Sequence, residues 1–324
     1  AQLPDIVAEA FFVASTGRPG PVVIDIPKDV FVQDVQVPYD NGTVRNRIMM
    51  KYKPCQVNKE QVNKVAQFIQ KAEKPMLVVG GGVNNRLKNR DVLYEIAKKA
   101  DMPVSTTLMG RGVFPAGNVY DLGMPGMHGT VEANYTIQHC DCLVAVGMRF
   151  DDRVTSNVSS FAPNAKMIVH VDIDAAEIGK TVTVGYPLVA DSADFLDALL
   201  EALPQCQHKD WMDEVQQSRY EIQSPAGSVL PPKETFAFID KYVDENTVVV
   251  TDVGQHQMWA ALFLNVAGSR QFITSGGLGT MGFGFPAAIG TQFGFPDRNV
   301  ILITGDGSFQ MNMQELAIMK KFKL

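Results

Sequence analysis

Short apolar runs alternate with helical patterns along most of the chain, and this alternation constrains its fold more than any other feature. The clearest runs are Met76–Val79, Leu143–Val146, Val248–Asp252 and Asn299–Thr304. Between them, apolar residues recur at the three- and four-residue spacing of amphipathic helices, as in Asn58–Lys71. Strands that are joined through helices pair in parallel. We therefore predict an α/β fold of successive parallel-sheet domains with helices on both faces of each sheet.

The same pattern predicts the order of the elements. The predicted strands are 21–27, 76–79, 104–106, 143–146, 167–171, 188–189, 248–252 and 299–304. The predicted helices are 5–16, 58–71, 92–99, 131–139, 192–203, 211–222, 234–243, 257–264, 284–293 and a last one that ends at 324. Two stretches that contain prolines and glycines, 41–56 and 206–232, are predicted linkers. They divide the chain into segments 1–40, 57–205 and 233–324.

The composition excludes several classes of partner. With 29 basic and 35 acidic residues the net charge is −6, so we expect neither nucleic acid nor an anionic membrane as the main partner. No apolar run approaches the length of a bilayer span, so we expect no membrane segment. The cysteines Cys55, Cys140, Cys142 and Cys206 fit neither a disulfide framework nor a paired zinc site. Cys140 and Cys142 are expected to be small buried thiols in a reducing interior.

A turn near the end of the chain is the most specific local feature. Gly305-Asp306-Gly307-Ser308 follows an apolar run and precedes a helical pattern. A hard cation prefers oxygen ligands, and a diphosphate binds glycine N–H groups and helix N-termini. One such turn could therefore hold a metal-bridged diphosphate. Gly-Asp-Gly is also ordinary turn chemistry, so this motif alone leaves both interpretations open.

Two upstream motifs narrow the choice. Residues 251–260 read TDVGQHQMWA, and residues 275–282 read SGGLGTMG. With the GDGS turn, and in this order, they resemble the cofactor domain of thiamine-diphosphate enzymes, specifically the large catalytic subunit of the acetolactate synthase (acetohydroxyacid synthase) family. The resemblance extends over the whole chain.

This resemblance implies a transferase that decarboxylates pyruvate on thiamine diphosphate and condenses the two-carbon unit with pyruvate or 2-ketobutyrate. That reaction is the first common step of valine, leucine and isoleucine biosynthesis. The implied cofactors are thiamine diphosphate, Mg²⁺ and FAD, the flavin doing no net redox work. The implied domains are the C-terminal tail of a pyrimidine-binding domain (1–40), a central FAD-binding domain (57–205) and the N-terminal part of a thiamine-diphosphate and magnesium domain (233–324).

The family pattern also includes groups that this chain lacks. The glutamate that activates the pyrimidine ring belongs to the first domain, and the asparagines that complete the metal shell come after Leu324. We therefore expect a chain that is truncated at both ends and inactive in isolation. The resemblance further implies a homodimer or tetramer of catalytic subunits with a small regulatory subunit. It implies the cytoplasm as location in a bacterium, and a plastid or mitochondrion in a eukaryote.

The resemblance assigns the thiamine site as follows. Residues 253–256 match the segment that caps the diphosphate, and Asp306 matches the magnesium carboxylate. Met281 matches the bulky, flexible side chain that bends the cofactor, a task that suits methionine. The implied thiamine-diphosphate residues are Val253, Gly254, Gln255, His256, Gly279, Met281, Gly305, Gly307 and Ser308.

The flavin assignment depends more heavily on the resemblance. No GxGxxG motif is present, and Gly80-Gly81-Gly82 alone indicates only a close backbone approach after a strand. The family binds an extended FAD through segments that match 128–149 and 172–191. Arginines can neutralise the diphosphate, and carboxylates can accept from ribose or adenine donors. The implied flavin residues are Arg18, Gly80, Gly81, Gly82, Thr107, Leu108, Met109, His128, Gly129, Gly147, Arg149, Asp172, Ile173, Ala190 and Asp191.

A charge cluster, Phe150-Asp151-Asp152-Arg153, completes the candidate site. By itself it would be a solvated loop. The resemblance implies that Asp152 and Arg153 line the substrate entrance, with Met127 in the same channel. A guanidinium can hold the carboxylate of the second keto acid through two hydrogen bonds. Together with Met281, these are the implied catalytic residues of the chain.

Two other interpretations remain open. The chain could belong to another thiamine carboligase or decarboxylase, such as a glyoxylate carboligase or a pyruvate oxidase relative, or it could be a non-catalytic FAD-binding fragment. The segments 255–259 and 149–153 favour the synthase. Leu262 and Phe285 stand where the family pattern predicts glutamine and leucine, and neither belongs to a cofactor motif.

Overall fold

The computed structural model describes residues 3–34, 48, 56–223, 226–227, 229–266, 268 and 270–324. Most of the first predicted linker (41–56), with Cys55, lies outside the described residues, as do three positions of the second. The strands are β1 Pro75–Val79, β2 Val104–Thr106, β3 Cys142–Val146, β4 Met167–Asp172, β5 Tyr186–Val189, β6 Thr247–Thr251, β7 Phe272–Ile273 and β8 Asn299–Ile303. The helices are α1 Leu3–Ser15, α2 Lys28–Phe31, α3 Lys59–Lys71, α4 Asn89–Ala100, α5 Val131–His139, α6 Asp152–Thr155, α7 Ser192–Ala202, α8 Lys209–Gln217, α9 Pro232–Asp240, α10 Gln255–Phe263, α11 Gly284–Gly294, α12 Asp306–Asn312 and α13 Leu316–Phe322.

Strands β1 to β5 form one parallel sheet in the order β2-β1-β3-β4-β5, which we call the five-stranded unit together with its helices. Every residue of β1 and β3 is buried, as expected for strands that are covered on both faces. Alternate side chains of β1 enter opposite cores: Leu77 packs with Ile69 of α3, whereas Met76 packs with Trp211 of α8. Asn58 caps α3 by accepting from two amides of its first turn.

Strands β6 to β8 form a second parallel sheet in the order β7-β6-β8, which we call the three-stranded unit with helices α9 to α13. Its central strand β6 is buried at all positions. Val249 faces a core with Ala260 of α10, and Val250 faces a core with Ala288 of α11. The predicted fold class, parallel sheets with helices on both faces, is therefore confirmed.

Two expectations about elements were wrong, and one strand was not predicted. Residues 21–27 form no strand: Val23 is 90% exposed, and no described strand lies beside this segment to complete a ladder. The last helix is interrupted, because residues 313–315 form a 3-10 turn between α12 and α13. Strand β7 was missed, since a two-residue run has no detectable period. None of the helices in the described ranges has the length and apolarity that a bilayer span requires.

Candidate active site

Two loops meet at the carboxyl edge of the three-stranded sheet. One follows β6 and leads into α10; the other follows β8 and leads into α12, and the two strands are parallel neighbours. In parallel α/β sheets, ligands bind beyond the carboxyl ends of the strands, where the chain order reverses. The fold therefore brings the 251–260 motif and the GDGS turn together at this edge.

The ring of His256 lies between these loops. A Cβ atom added to Gly254 would be 3.0 Å from His256 Cε1, and one added to Gly305 would be 3.2 Å from the same atom. Gly254 has a φ of 151°, which favours glycine. His256 Nε2 is buried and has no hydrogen-bond partner among the described residues, and burial lowers the pKa of the imidazole. This neutral ring with an unsatisfied nitrogen fits a site that a ligand completes. Gln255, beside it, is exposed.

Asp306 opens α12 with an exposed carboxylate that has no hydrogen bond or ion pair to any described residue. In the described part of the chain, no three His, Cys, Asp or Glu side chains form a group that could hold a metal. A magnesium ion at Asp306 would therefore take most of its oxygen ligands from phosphate, water or other groups. A free carboxylate at a glycine-flanked helix start fits a metal-bridged diphosphate.

The loop 275–282 borders the same space. A Cβ atom on Gly279 would be 3.9 Å from Val253 Cγ1, and one on Gly307 would be 3.5 Å from Met281 Cε. Met281 is 44% exposed, so its side chain reaches the GDGS turn while one side remains open to solvent. Ser308 is buried, and its Oγ lies 3.5 Å from the Val253 carbonyl oxygen. All three motifs thus surround one space.

Asp252, for which the sequence predicted no role, holds two of these motifs together. It is fully buried at the end of β6. Its Oδ1 accepts from the amides of Val253 and Gly282 at 2.8 and 3.0 Å, and its Oδ2 accepts from the amide of Gly284 at 2.7 Å. Gly284 is the first residue of α11, so the carboxylate also lies at a helix N-terminus, where negative charge is stabilised. The sequence feature that could have indicated this role is an acidic residue directly after an apolar run.

The triple glycine of the five-stranded unit follows β1 and touches the loop after β3. A Cβ atom on Gly82 would be 2.9 Å from Gly147 Cα, and one on Gly80 would overlap the Gly147 carbonyl oxygen. A Cβ atom on Gly81 would be 3.0 Å from Met109 Cβ. The glycines therefore allow two loops to approach at the switch point between β1 and β3, and this packing accounts for them without a ligand.

The two arginines predicted to reach the flavin diphosphate lie at this edge with carboxylate partners. Arg149 is 3.4 Å from Asp151, and Arg18 is 3.3 Å from both Asp174 and Glu177. Arg149 and Arg18 remain 43% and 49% exposed, so each keeps donor groups that face solvent. A bound diphosphate would share these guanidinium groups with the acids.

The two predicted flavin carboxylates differ in availability. Asp172 is partly buried, burial raises the pKa of its carboxyl group, and its Oδ1 accepts from the amide of Asp174. Asp191 caps α7 through Oδ1 and receives the Asn85 side chain on Oδ2 at 3.1 Å, so both of its oxygens are in use. Of the remaining predicted flavin residues, Thr107 and Ala190 are buried, Leu108, Gly129 and Ile173 are partly buried, and Met109 and His128 are exposed.

The predicted entrance residues are brought together. The Met127 amide donates to the Arg153 carbonyl at 2.9 Å, and Arg153 Nη1 lies 3.6 Å from Met127 Sδ. Asp152 is 3.9 Å from Arg153 Nε. The Arg153 side chain is 66% exposed, so this loose pairing leaves the guanidinium accessible to a carboxylate in solution.

Two further buried groups were missed. Arg111 is buried between the two units, and its place between Gly110 and Gly112 offered no sequence signal. His170 is buried in β4, its Nε2–H donates to the Met148 carbonyl oxygen at 2.9 Å, and burial lowers the pKa of its ring. In the sequence it is one polar residue in a strand, which does not distinguish a core histidine from a ligand.

Two family models match the chain. Residues 62–199 match the central domain of thiamine pyrophosphate enzymes, and residues 252–324 match their C-terminal TPP binding domain. Together the two matches account for more than half of the chain.

Curated relatives resemble the chain over almost its whole length. It is 39% identical to the acetolactate synthase isozyme 3 large subunit of Escherichia coli, over 99% of the chain and 57% of that protein. It is 39% identical to the acetolactate synthase large subunit of Lactococcus lactis, over 99% of the chain and 56% of the relative. It is 42% identical to the chloroplastic acetolactate synthase 2 of Nicotiana tabacum, over 98% of the chain and 48% of the relative. The chain thus spans about half the length of the curated relatives it matches.

Proposed function

The chain belongs to the thiamine pyrophosphate enzymes, and from that premise we propose that it is part of the catalytic large subunit of an acetolactate synthase. The proposed reaction decarboxylates pyruvate and joins the two-carbon unit to a second 2-keto acid, pyruvate or 2-ketobutyrate. It serves the synthesis of valine, leucine and isoleucine. Thiamine diphosphate, when bound, supplies the electron sink for decarboxylation.

One observation carries the proposal: His256, Met281 and Asp306 come from three separate motifs and border one space at the sheet edge. In the proposed roles, the glycine turns and the starts of α10 and α12 hold the diphosphate, and Asp306 holds its magnesium ion. Met281 supports the cofactor from the side. His256, neutral at pH 7, can donate or accept one hydrogen bond without adding charge.

The first experiment tests the reaction with the complete protein that contains this chain. We expect acetolactate from pyruvate only when thiamine diphosphate and magnesium are both present. Asp306→Ala should abolish this activity, and excess magnesium should restore it at most partly. If carbon dioxide is released while only acetaldehyde or acetate accumulates, the protein is a decarboxylase or oxidase relative and the proposal is wrong.

A second experiment tests the entrance. Arg153→Ala should leave the affinity for thiamine diphosphate unchanged and impair use of the second keto acid. The substitution removes the guanidinium that is proposed to bind the carboxylate of that keto acid. The loss of one charge-assisted contact corresponds to roughly 1.5–3 kcal/mol. Competition between pyruvate and 2-ketobutyrate measures the effect, with Arg219→Ala as the control, since Arg219 donates to the Val119 and Asp121 carbonyls instead. A changed cofactor requirement with unchanged keto-acid preference would reverse the assigned role.

The proposal extends to a second cofactor and to the assembly. FAD is assigned to the carboxyl edge of the five-stranded sheet, with Arg149, Arg18 and Asp172 as its polar contacts. The catalytic subunits are proposed to form a dimer or tetramer with a small regulatory subunit. The proposed location is the cytoplasm in a bacterium and a plastid or mitochondrion in a eukaryote.

A further inference from the structure

Arg111 is a buried cation with no acidic group of the described residues at ion-pair distance. It is 7% exposed, and no carboxylate of the described residues forms an ion pair with it. Its Nη2 donates to the Leu264 carbonyl at 3.1 Å, and its Nη1 lies 3.4 Å from Thr106 Oγ1, while Nε has no partner among the described residues. Burial lowers the pKa of this guanidinium, and the negative charge of Asp121 acts in the opposite direction. Since burying a charge is costly unless it is compensated, its partners must offset that cost.

Part of the compensation comes from the end of a helix, beside the charge of Asp121. Leu264 is the C-cap of α10, where carbonyl groups lack intrahelical donors and the helix dipole is negative. A guanidinium at this end satisfies a carbonyl and is stabilised by the dipole. The other end of α10 begins at Gln255, next to His256, in the proposed thiamine site. One rigid helix of nine residues therefore connects Arg111 to that site.

The residues on either side of Arg111 form the contact between the two units. A Cβ atom on Gly112, which has a φ of 87°, would overlap the Gly268 carbonyl oxygen. A Cβ atom on Gly276 would be 2.6 Å from Met109 Sδ. Because Gly276 belongs to the loop that carries Met281, segment 108–112 touches both the end of α10 and the beginning of that loop.

A second arginine crosses this contact in the opposite direction. Arg270 of the three-stranded unit donates through Nε to the Asn84 carbonyl at 3.1 Å. Asn84 in turn donates through Nδ2 to the Met109 carbonyl at 2.9 Å. The backbone just before Arg111 is therefore hydrogen-bonded into the same contact between the two units.

We propose that Arg111 is a positioning residue for the thiamine site. It holds the C-terminal end of α10 against the five-stranded unit and thereby keeps Gln255 and His256 in place at the other end of the helix. Arg111 itself touches no substrate or cofactor. The identity of the ligand rests on the proposed function, whereas the contact with α10 does not.

The test uses the complete protein with variants at Arg111 and a matched arginine. Arg111→Met keeps the length and apolar stem but removes the donors, and its dissociation constant for thiamine diphosphate with magnesium should rise about tenfold, as expected for one lost hydrogen bond from a charged group. Arg111→Lys should recover most of the affinity, because an ammonium group can donate to the Leu264 carbonyl. Arg86→Met should bind like the wild type, since its partners Asp194 and Asp197 lie within the five-stranded unit.

Hydrogen exchange supplies a readout independent of the ligand. In the unliganded protein, Arg111→Met should speed exchange of the amides in α10, and Arg86→Met should not. Should Arg111→Met fail to fold, Arg111→Gln takes its place with the same expectation, because its side chain is too short to reach the helix end. The proposal fails if the neutral variant binds thiamine diphosphate as tightly as the wild type, or if Arg111→Lys is no better than Arg111→Met. If the wild type itself binds no thiamine diphosphate, the proposed function fails. The positioning role is tested separately, because it is refuted if Arg111→Met exchanges the amides of α10 at the same rate as the wild type.

Discussion

Replacement of Asp252 tests how the candidate site is held together. Its carboxylate accepts from the buried amides of Gly282 and Gly284 and from the amide of Val253. Asp252→Asn keeps the shape but leaves only one acceptor oxygen. If that oxygen keeps the bonds to Val253 and Gly282, the new NH₂ group faces the Gly284 amide, which then has no acceptor and meets another donor.

The expected cost follows from this count. A buried donor without a partner costs about 1–3 kcal/mol. Loss of the negative charge at the start of α11 adds about 0.3–1 kcal/mol. Asp252→Ala removes both bonds to buried glycine amides and should cost about 2–6 kcal/mol, a large fraction of the roughly 5–15 kcal/mol that stabilises a typical domain.

Local hydrogen exchange is the appropriate assay, because a chain with two sheets need not unfold in a single step. A cost of about 1–3 kcal/mol corresponds to exchange that is roughly 5- to 150-fold faster. We expect this acceleration in Asp252→Asn for peptides that cover residues 275–284. Affinity for thiamine diphosphate should fall with it, since this loop carries Gly279 and Met281.

Asp306→Asn is the matched control. It changes the same chemical group at an exposed position without partners among the described residues, so exchange in 275–284 should not change. Its effect should be confined to the magnesium requirement. Unchanged exchange of the 275–284 peptides in Asp252→Asn, with a normally folded protein, would refute the claim that this carboxylate organises the loop.

Three further predictions concern other groups. Arg149→Ala should weaken FAD binding in a flavin titration, because phosphate charge loses a partner; unchanged affinity would remove Arg149 from the flavin site. Burial lowers the pKa of His170, so below about pH 6.5 the unfolded state binds more protons than the folded one. In urea titrations, the free energy of unfolding should therefore be constant above about pH 6.5 and should fall as the pH drops from there through the pKa of the folded state. In His170→Gln, the free energy of unfolding should depend less steeply on pH. Burial raises the thiol pKa of Cys140 and Cys142 to about 12, so iodoacetamide at pH 8 should label neither in the folded protein and both in urea, as read by peptide mapping.

Much of the fold could be predicted because the relevant signals are local and repeated. Helix α5 has the predicted limits, Val131–His139, since Thr130 caps its start and its apolar residues keep helical spacing. Strands β1 and β3 differ from prediction by one residue at one end, because strands buried on both faces read as unbroken apolar runs. Cys140 and Cys142 are buried free thiols, which confirms that expectation.

The failures occurred where structure depends on a partner segment. Residues 21–27 have strand-like composition, but a strand exists only where another strand completes its hydrogen bonds. In β7 the reverse holds, since two residues become a strand only because β6 lies beside them. The candidate site shows the same division. The glycine motifs could be detected in the sequence from their spacing. The roles of Asp252 and Arg111 could not, because they depend on backbone groups that are distant in sequence.

The contacts of Asp252 and Arg111 also bear on the electrostatics of the candidate site. A carboxylate buried just before α10 would repel a diphosphate bound at the start of that helix. Asp252 directs both oxygens to backbone amides, two of which, Gly282 and Gly284, lie at or beside the start of α11, so much of its charge is compensated within the protein. At the other end of α10, Arg111 neutralises the negative end of the helix dipole without contributing charge to the pocket. The positive ends of α10 and α12 and the free carboxylate of Asp306 then remain for the proposed diphosphate and magnesium ion, which is the charge distribution that a metal-bridged diphosphate requires.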